Sequence, residues 1–193
     1  GTHHSGAEDQ EPSASRPAHM ITEEARVVLY SIPLEPTLRK SEGLQVKAEA
    51  DSVSWELRKA DMNLLKGIVQ MCEGLGVKVV ACQQGIDPQI KDSLIHLGLI
   101  PLERLSLRYM QSFQELTGAL PFSSLSDIIR EEDLGRIGSL ALTQVSGKEV
   151  LHLQPPNGSC AKLQTLLLAH RDQAGLEELE KSVCQAFSVG LPS

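Results

Sequence analysis

The sequence predicts an α/β fold in which β-sheet layers are flanked by helices, and three observations carry that prediction. Strand and helix signatures alternate through residues 77–117, a β-rich meander follows over residues 140–169, and the apolar residues are almost all aliphatic. Of 193 residues 41% are hydrophobic and 22% charged, but only 3% are aromatic, so packing must rest on Leu, Ile, Val and Ala. That suits a layered core better than an aromatic ligand cage. A chain of this length buries such a core without disulfide or metal staples.

Residues 1–20 are rich in Ser, Pro, Ala, Glu and His with almost no large apolar side chain, a composition that does not repay the entropy of ordering. They read as a disordered tail, and His3-His4 with the His19-Met20 junction read as an appended remnant. The folded domain is then residues 21–193.

Val27-Val28-Leu29-Tyr30-Ser31-Ile32 is a β-rich run stopped by Pro33, which cannot donate to a ladder. Leu44, Val46, Ala48 and Ala50 alternate with polar residues and predict a second, half-buried strand. Asp51 is the expected N-cap of a helix whose Trp55, Met62, Leu65, Val69 and Cys72 form one apolar stripe, ended by Gly74 and Gly76. Val77 to Cys82 is a buried strand, and Asp87-Pro88 supplies an N-cap and a first-turn proline for a helix through Leu97. Leu99 to Leu105 predicts a further strand. Ser106 opens a helix with Tyr109, Met110, Phe113 and Leu116 inward and Gly118 at its end. Leu140–Val145 and Val150–Gln154 flank a hairpin turn at Ser146-Gly147, Leu163–Ala169 is another strand, and Leu176, Leu179, Val183 and Phe187 mark a last amphipathic helix.

Several function classes are excluded. The net charge is −7 and no long Lys/Arg run occurs, so nucleic acid is not a primary partner; Arg39-Lys40 and Arg58-Lys59 are solvated surface pairs. No apolar run approaches the roughly 20 residues that span a bilayer, and a cytoplasmic location is expected. Cys72, Cys82, Cys160 and Cys184 form no C-x-x-C pair and read as reduced, buried thiols without a metal. There is no nucleophile elbow, phosphate loop, zinc-protease or dinucleotide motif, and Gly74-Leu75-Gly76 stops a helix and cradles no phosphate. Glu131-Glu132-Asp133 is a polar helix start or loop, while His96, His152 and His170 show no mutual metal spacing, so no catalytic, cofactor or metal residue is assigned. Trp55, with Val53 and Leu57, could mark an exposed interaction site, although the residues alone favour a tryptophan packed on its own domain.

Val79-Val80-Ala81-Cys82-Gln83-Gln84-Gly85-Ile86-Asp87 resembles the "VV-x-CQKGID" strand and helix entry of the apical domain of group II chaperonins, the TCP-1, TRiC and thermosome family. Upstream, Ala25–Leu29 followed by Ile32-Pro33-Leu34-Glu35 is similar to that family's opening strand and "PLE" turn. Downstream, Leu116-Thr117-Gly118-Ala119 resembles its "ATGA", Glu132-Asp133-Leu134-Gly135 its "EDLG", and Leu166–Leu168 with Leu176–Val183 its closing strand and helix. The matches are collinear over roughly residues 23–189. Where the family has "RGG" this chain has Ala169-His170-Arg171, and its basic strand is weakened to Pro101–Leu105, so the chain looks like a diverged relative similar to the McKusick-Kaufman and Bardet-Biedl chaperonin-like proteins.

The resemblance implies a helical protrusion over about residues 50–62, with Val53, Trp55 and Leu57 at an exposed client-binding tip. It also implies a client groove beside the helix after "GID", where Gln89, Asp92, Ser93 and His96 face solvent and Ile90, Leu94 and Leu97 face the core. The implied partners are unfolded or assembling client proteins and other chaperonin subunits, with ATP and Mg acting in a separate domain of the parent protein. The chain itself would be no enzyme. A ciliopathy-type parent would act at the centrosome or basal body, and the alternative is a scaffold that reuses the fold for one fixed partner, such as a ciliary complex.

Overall fold

The computed structural model describes residues 19–37, 47–145, 147–156 and 164–167. In chain order these form β1 (His19–Ile21), β2 (Ala25–Tyr30), α1 (Lys47–Gly74), β3 (Val77–Cys82), α2 (Pro88–His96), β4 (Ile100–Leu102), α3 (Leu107–Thr117), β5 (Pro121–Phe122), a 3₁₀ turn (Glu131–Asp133), β6 (Gly135–Ile137), β7 (Ser139–Val145), β8 (Lys148–Gln154) and β9 (Gln164–Leu167).

The central sheet has the order β4-β3-β2-β5, all parallel, with β6 antiparallel to the start of β2. A second, antiparallel sheet runs β1-β7-β8-β9. Because side chains alternate across a strand, β2 serves two cores. Ala25, Val27 and Leu29 join Tyr109, Met110 and Phe113 of α3 and Leu140, Leu142, Leu151 and Leu153 of the second sheet. Val28 and Tyr30 join Leu65, Ile68, Val69 and Cys72 of α1 and Ile90 and Leu94 of α2 on the other face. The layers are thus α1 and α2, then the parallel sheet, then α3 with the second sheet. The chain moves one way across the sheet with α1 and α2 on one face and returns to β5 with α3 on the other, as right-handed crossovers require.

Register between β2 and β3 slips by one residue, from Arg26↔Val77 to Val27↔Val79, so Lys78 is the extra residue of a bulge. Without it Val77 and Val79 would face the same core; with it Val77 joins the α1 face and Val79 the α3 face. Gly135 is fixed by close approach, since a Cβ there would lie 2.9 Å from the Thr117 carbonyl oxygen and 2.8 Å from the Ala119 nitrogen. The hairpin closes between Val145 and Lys148, where its sequence predicts a turn, with Gly147 at φ 76°.

Four expectations are corrected. Ala48 and Ala50 lie in α1 and not in a strand, and Asp51 lies inside that helix, not at its cap. Alanine is the best helix former, and a helix already nucleated further along propagates cheaply through such residues. Leu44 and Val46 lie outside the described residues. The strand expected over Leu99–Leu105 is only Ile100–Leu102: the chain leaves the ladder at Glu103, and Arg104 takes φ 59° while its N–H donates to Gln84 O. Leu97, expected in the core, is 37% exposed. Helix α2 ends there, Gly98 turns the chain at φ 79°, and Leu99 packs inward instead. Finally, His19 and Met20 belong to a strand paired with Leu142 and Ala141, not to the tail; residues 1–18 and the expected C-terminal helix lie outside the described residues.

Candidate interaction surface

Helix α1 has 28 residues and so measures about 42 Å. Its C-terminal half packs on the body. Residues 52–60 are all exposed, burial begins at Asp61 and Met62, and Leu65 is fully buried. Asp61 marks the junction, its carboxylate accepting the Thr37 N–H at 2.8 Å. On the free half Trp55 is 65% exposed and Val53 57%.

Beside it stands α2, held by a corner of the fold in which three sequence motifs bind one another. Leu34 N–H donates to Gly85 O and Asp87 N–H returns to Leu34 O, at 3.0 and 2.9 Å. Asp87 caps the helix by accepting the Gln89 N–H at 2.9 Å, with Pro88 at the first position. Glu103 accepts the Ile86 N–H through one oxygen and the Lys91 ammonium through the other, at 3.1 and 3.2 Å. The Cys82 thiol donates to Ile32 O. The next matched motif is likewise structural: Thr117 Oγ1 donates to Phe113 O and accepts the Ala119 N–H, closing α3.

Gln89, Asp92, Ser93 and His96 are all exposed on one side of α2, while Ile90 and Leu94 are buried. Ser93 also donates to Gln89 O at 2.9 Å. Lys91, on the opposite flank, reaches Glu103 at the end of β4, so the Gln89–His96 side faces α1. At roughly 100° per residue, Trp55, Met62 and Lys66 fall a quarter turn to one side of the buried line of α1, whereas Val53, Leu57 and Leu64 fall a quarter turn to the other. Right-handed crossovers place α2 on the Trp55 side. By spacing Trp55 lies on the α2 side of α1 and Val53 with Leu57 on the other, yet all three line one open hollow of the arm together with Ser52 and Glu56.

Other exposed apolar residues escaped the sequence reading: Leu64, Ile95, Leu107, Leu120 and Ile128, the last two at 58% and 72%. For Leu64 the signal was present in its spacing from Val53 and Leu57; for the loop residues none was.

No reactive centre forms among the described residues. They hold no group of three or more His, Cys, Asp or Glu able to bind a metal. His96 is exposed on α2, His152 is buried in β8, where desolvation lowers its pKa to about 4, and His170 lies outside the described residues. Burial pushes the Cys72 thiol up to about 12 and also raises Cys82, so both are inert at neutral pH. Glu131 and Glu132 are exposed and pair with Arg26 and Arg130 at 3.4 and 3.5 Å. No helix among the described residues is long and apolar enough to cross a membrane.

The chain is 23% identical over 167 residues to a thermosome subunit of Methanothermococcus thermolithotrophicus, covering 86% of this chain and 30% of that protein. It is 28% identical over 168 residues to the molecular chaperone MKKS of Mus musculus, covering 79% of this chain and 28% of that protein. Among solved structures, a group III chaperonin in the open state aligns with a TM-score of 0.61 at 17% identity, over 93% of this chain and 37% of that one. The chain thus spans about a third or less of the length of these relatives, and the structural likeness speaks to the fold alone. The signature of the TCP-1/cpn60 chaperonin family matches residues 7–190, and the chain belongs to that family.

Proposed function

We propose that this chain is the apical, client-capturing domain of a group II chaperonin or chaperonin-like protein. It binds unfolded or partly assembled protein through the free half of α1, with Val53, Trp55 and Leu57, and through the α2 face carrying Gln89, Asp92, Ser93 and His96. The observation that carries the reading is the exposed indole at the end of a helix whose other half is locked in the core, beside a polar helix face. A large ring held 65% in water offers apolar area at low entropic cost, and adjacent amides, hydroxyls and a carboxylate accept the polar backbone of an extended client. ATP and Mg would act elsewhere in the parent protein, with its other subunits, and this chain would hydrolyse nothing.

The test is aggregation suppression and direct binding with several unrelated denatured proteins, comparing the chain with a Val53→Ser/Trp55→Ser double variant. Loss of binding with an unchanged melting temperature supports the proposal. Equal binding by a folded double variant removes the tip from it, and capture of only one partner among many would favour the fixed-partner scaffold.

A further inference from the structure

The short segment Leu34–Thr37 is fastened at one end to the turn that opens α2 and at the other to α1. Leu34 is fully buried and bridges Ile86. Its N–H donates to Gly85 O and its carbonyl accepts the Asp87 N–H, so both sides of its backbone are fixed to the entry of α2. The Glu35 carboxylate lies over Gly85, where a Cβ would strike it. At the far end the Thr37 N–H donates to Asp61 Oδ2 at 2.8 Å, a bond strengthened by the charge of its acceptor. Between the two ends Pro36 fixes its own φ and narrows the choices of Glu35. Three residues reach at most about 10 Å, so the segment has little slack.

We infer that Leu34–Thr37 is a strut that sets how the Trp55 arm stands relative to α2, with Asp61 the positioning residue at its α1 end. Asp61 is placed for that task. Residues 52–60 are exposed, burial begins at Asp61 and Met62, and Leu65 is the first fully buried residue of the helix. An arm held at one end swings about its last fixed turn, and the swing widens with the length of the lever. From Trp55 that lever is about 9 Å to Asp61 and about 15 Å to Leu65. Tying Asp61 to Thr37 therefore stiffens the arm at its root, and it refers the arm to the same strut that holds α2. A client that touches both Trp55 and the Gln89–His96 face needs the two at a constant separation, since a wall that wanders loses affinity to ordering entropy. The effect on clients rests on the capture reading; the effect on the arm does not.

Trp55 is the only tryptophan, so the decay of its fluorescence anisotropy reads the motion of the arm in the full chain without a label. Asp61→Ala and Thr37→Pro remove the acceptor and the donor of one bond. Each should raise the amplitude of local Trp55 motion about 1.5-fold, as the longer lever requires, and weaken binding of carboxymethylated, permanently unfolded lactalbumin about threefold. The double variant should go no further than either single one. Asp61→Asn keeps an acceptor oxygen and should return both readings to near their original values. Pro36→Gly, which loosens the strut and leaves its ends in place, should also raise the amplitude. Unchanged Trp55 motion in Asp61→Ala and Pro36→Gly overturns the inference, as does additivity of the two end variants or failure of Asp61→Asn to restore the arm. If lactalbumin binds equally well to a folded Trp55→Ser chain, the capture reading loses its tip, while the anisotropy still decides the strut.

Discussion

Leu64 and Leu65 are neighbours in one helix with the same side chain and opposite circumstances: the first is 42% exposed, the second fully buried. The contrast extends along α1. Its C-terminal half is ordered by Val28, Tyr30, Val80 and the other members of the α1-side core, whereas residues 52–60 of its N-terminal half are all exposed. A half-helix of that length is marginal alone in water, so the arm is helical because the anchored half supplies its nucleus. The body is specified by what it packs against; the arm is specified by continuity, and its Val53, Trp55 and Leu57 stay exposed.

The largest effect should come from breaking that contrast directly. Leu65→Ala should cost about 2–5 kcal/mol of unfolding free energy, and Leu64→Ala less than about 0.5, measured by denaturant titration of the two variants. Equal costs would mean the exposed flank is covered in the monomer.

Next in size is a pH effect confined to the second sheet. His152 is 1% exposed and its folded pKa is about 4 against 6.5 for the free side chain. A lowered histidine pKa means that the unfolded chain binds the proton more readily. The stability it reflects is complete above pH 6.5 and declines as pH falls towards 4, by up to about 3 kcal/mol. Urea melts of the chain and of His152→Gln across pH 7 to 4.5 should converge, the variant being flatter. Parallel curves would assign the acid sensitivity to other groups.

Thr117→Val keeps the shape of α3's last turn but strands the buried Ala119 N–H, and should cost about 1–3 kcal/mol in thermal or chemical unfolding. Smallest of all, Tyr30→Phe should be neutral or stabilising by up to about 1 kcal/mol. The Tyr30 hydroxyl is buried with no hydrogen-bond partner among the described residues, and burial raises its pKa. A clear loss of stability would reveal a partner for that hydroxyl.

The body was largely legible from its residues. Val77–Cys82, the Asp87-Pro88 helix start, the inward set Tyr109, Met110 and Phe113, and the hairpin that pairs Val145 with Lys148 all follow from local rules of period, capping and turn geometry. The start of α1 was not legible, because Ala48 and Ala50 alternating with charges satisfy a period of two as well as a helix of small residues. Leu97 was misplaced for a related reason: periodicity extends a helix that a glycine one residue on has already ended.

For the site, the sequence by itself determined which residues share a face of α2, because spacings of three and four fix neighbours on any helix. Only the tertiary structure decided which flank of α1 lies beside α2, and that residues 52–60 are exposed while Leu65 is buried. A helix has no inside until a sheet covers one of its faces, and the placing of that sheet depends on contacts between residues far apart in the chain.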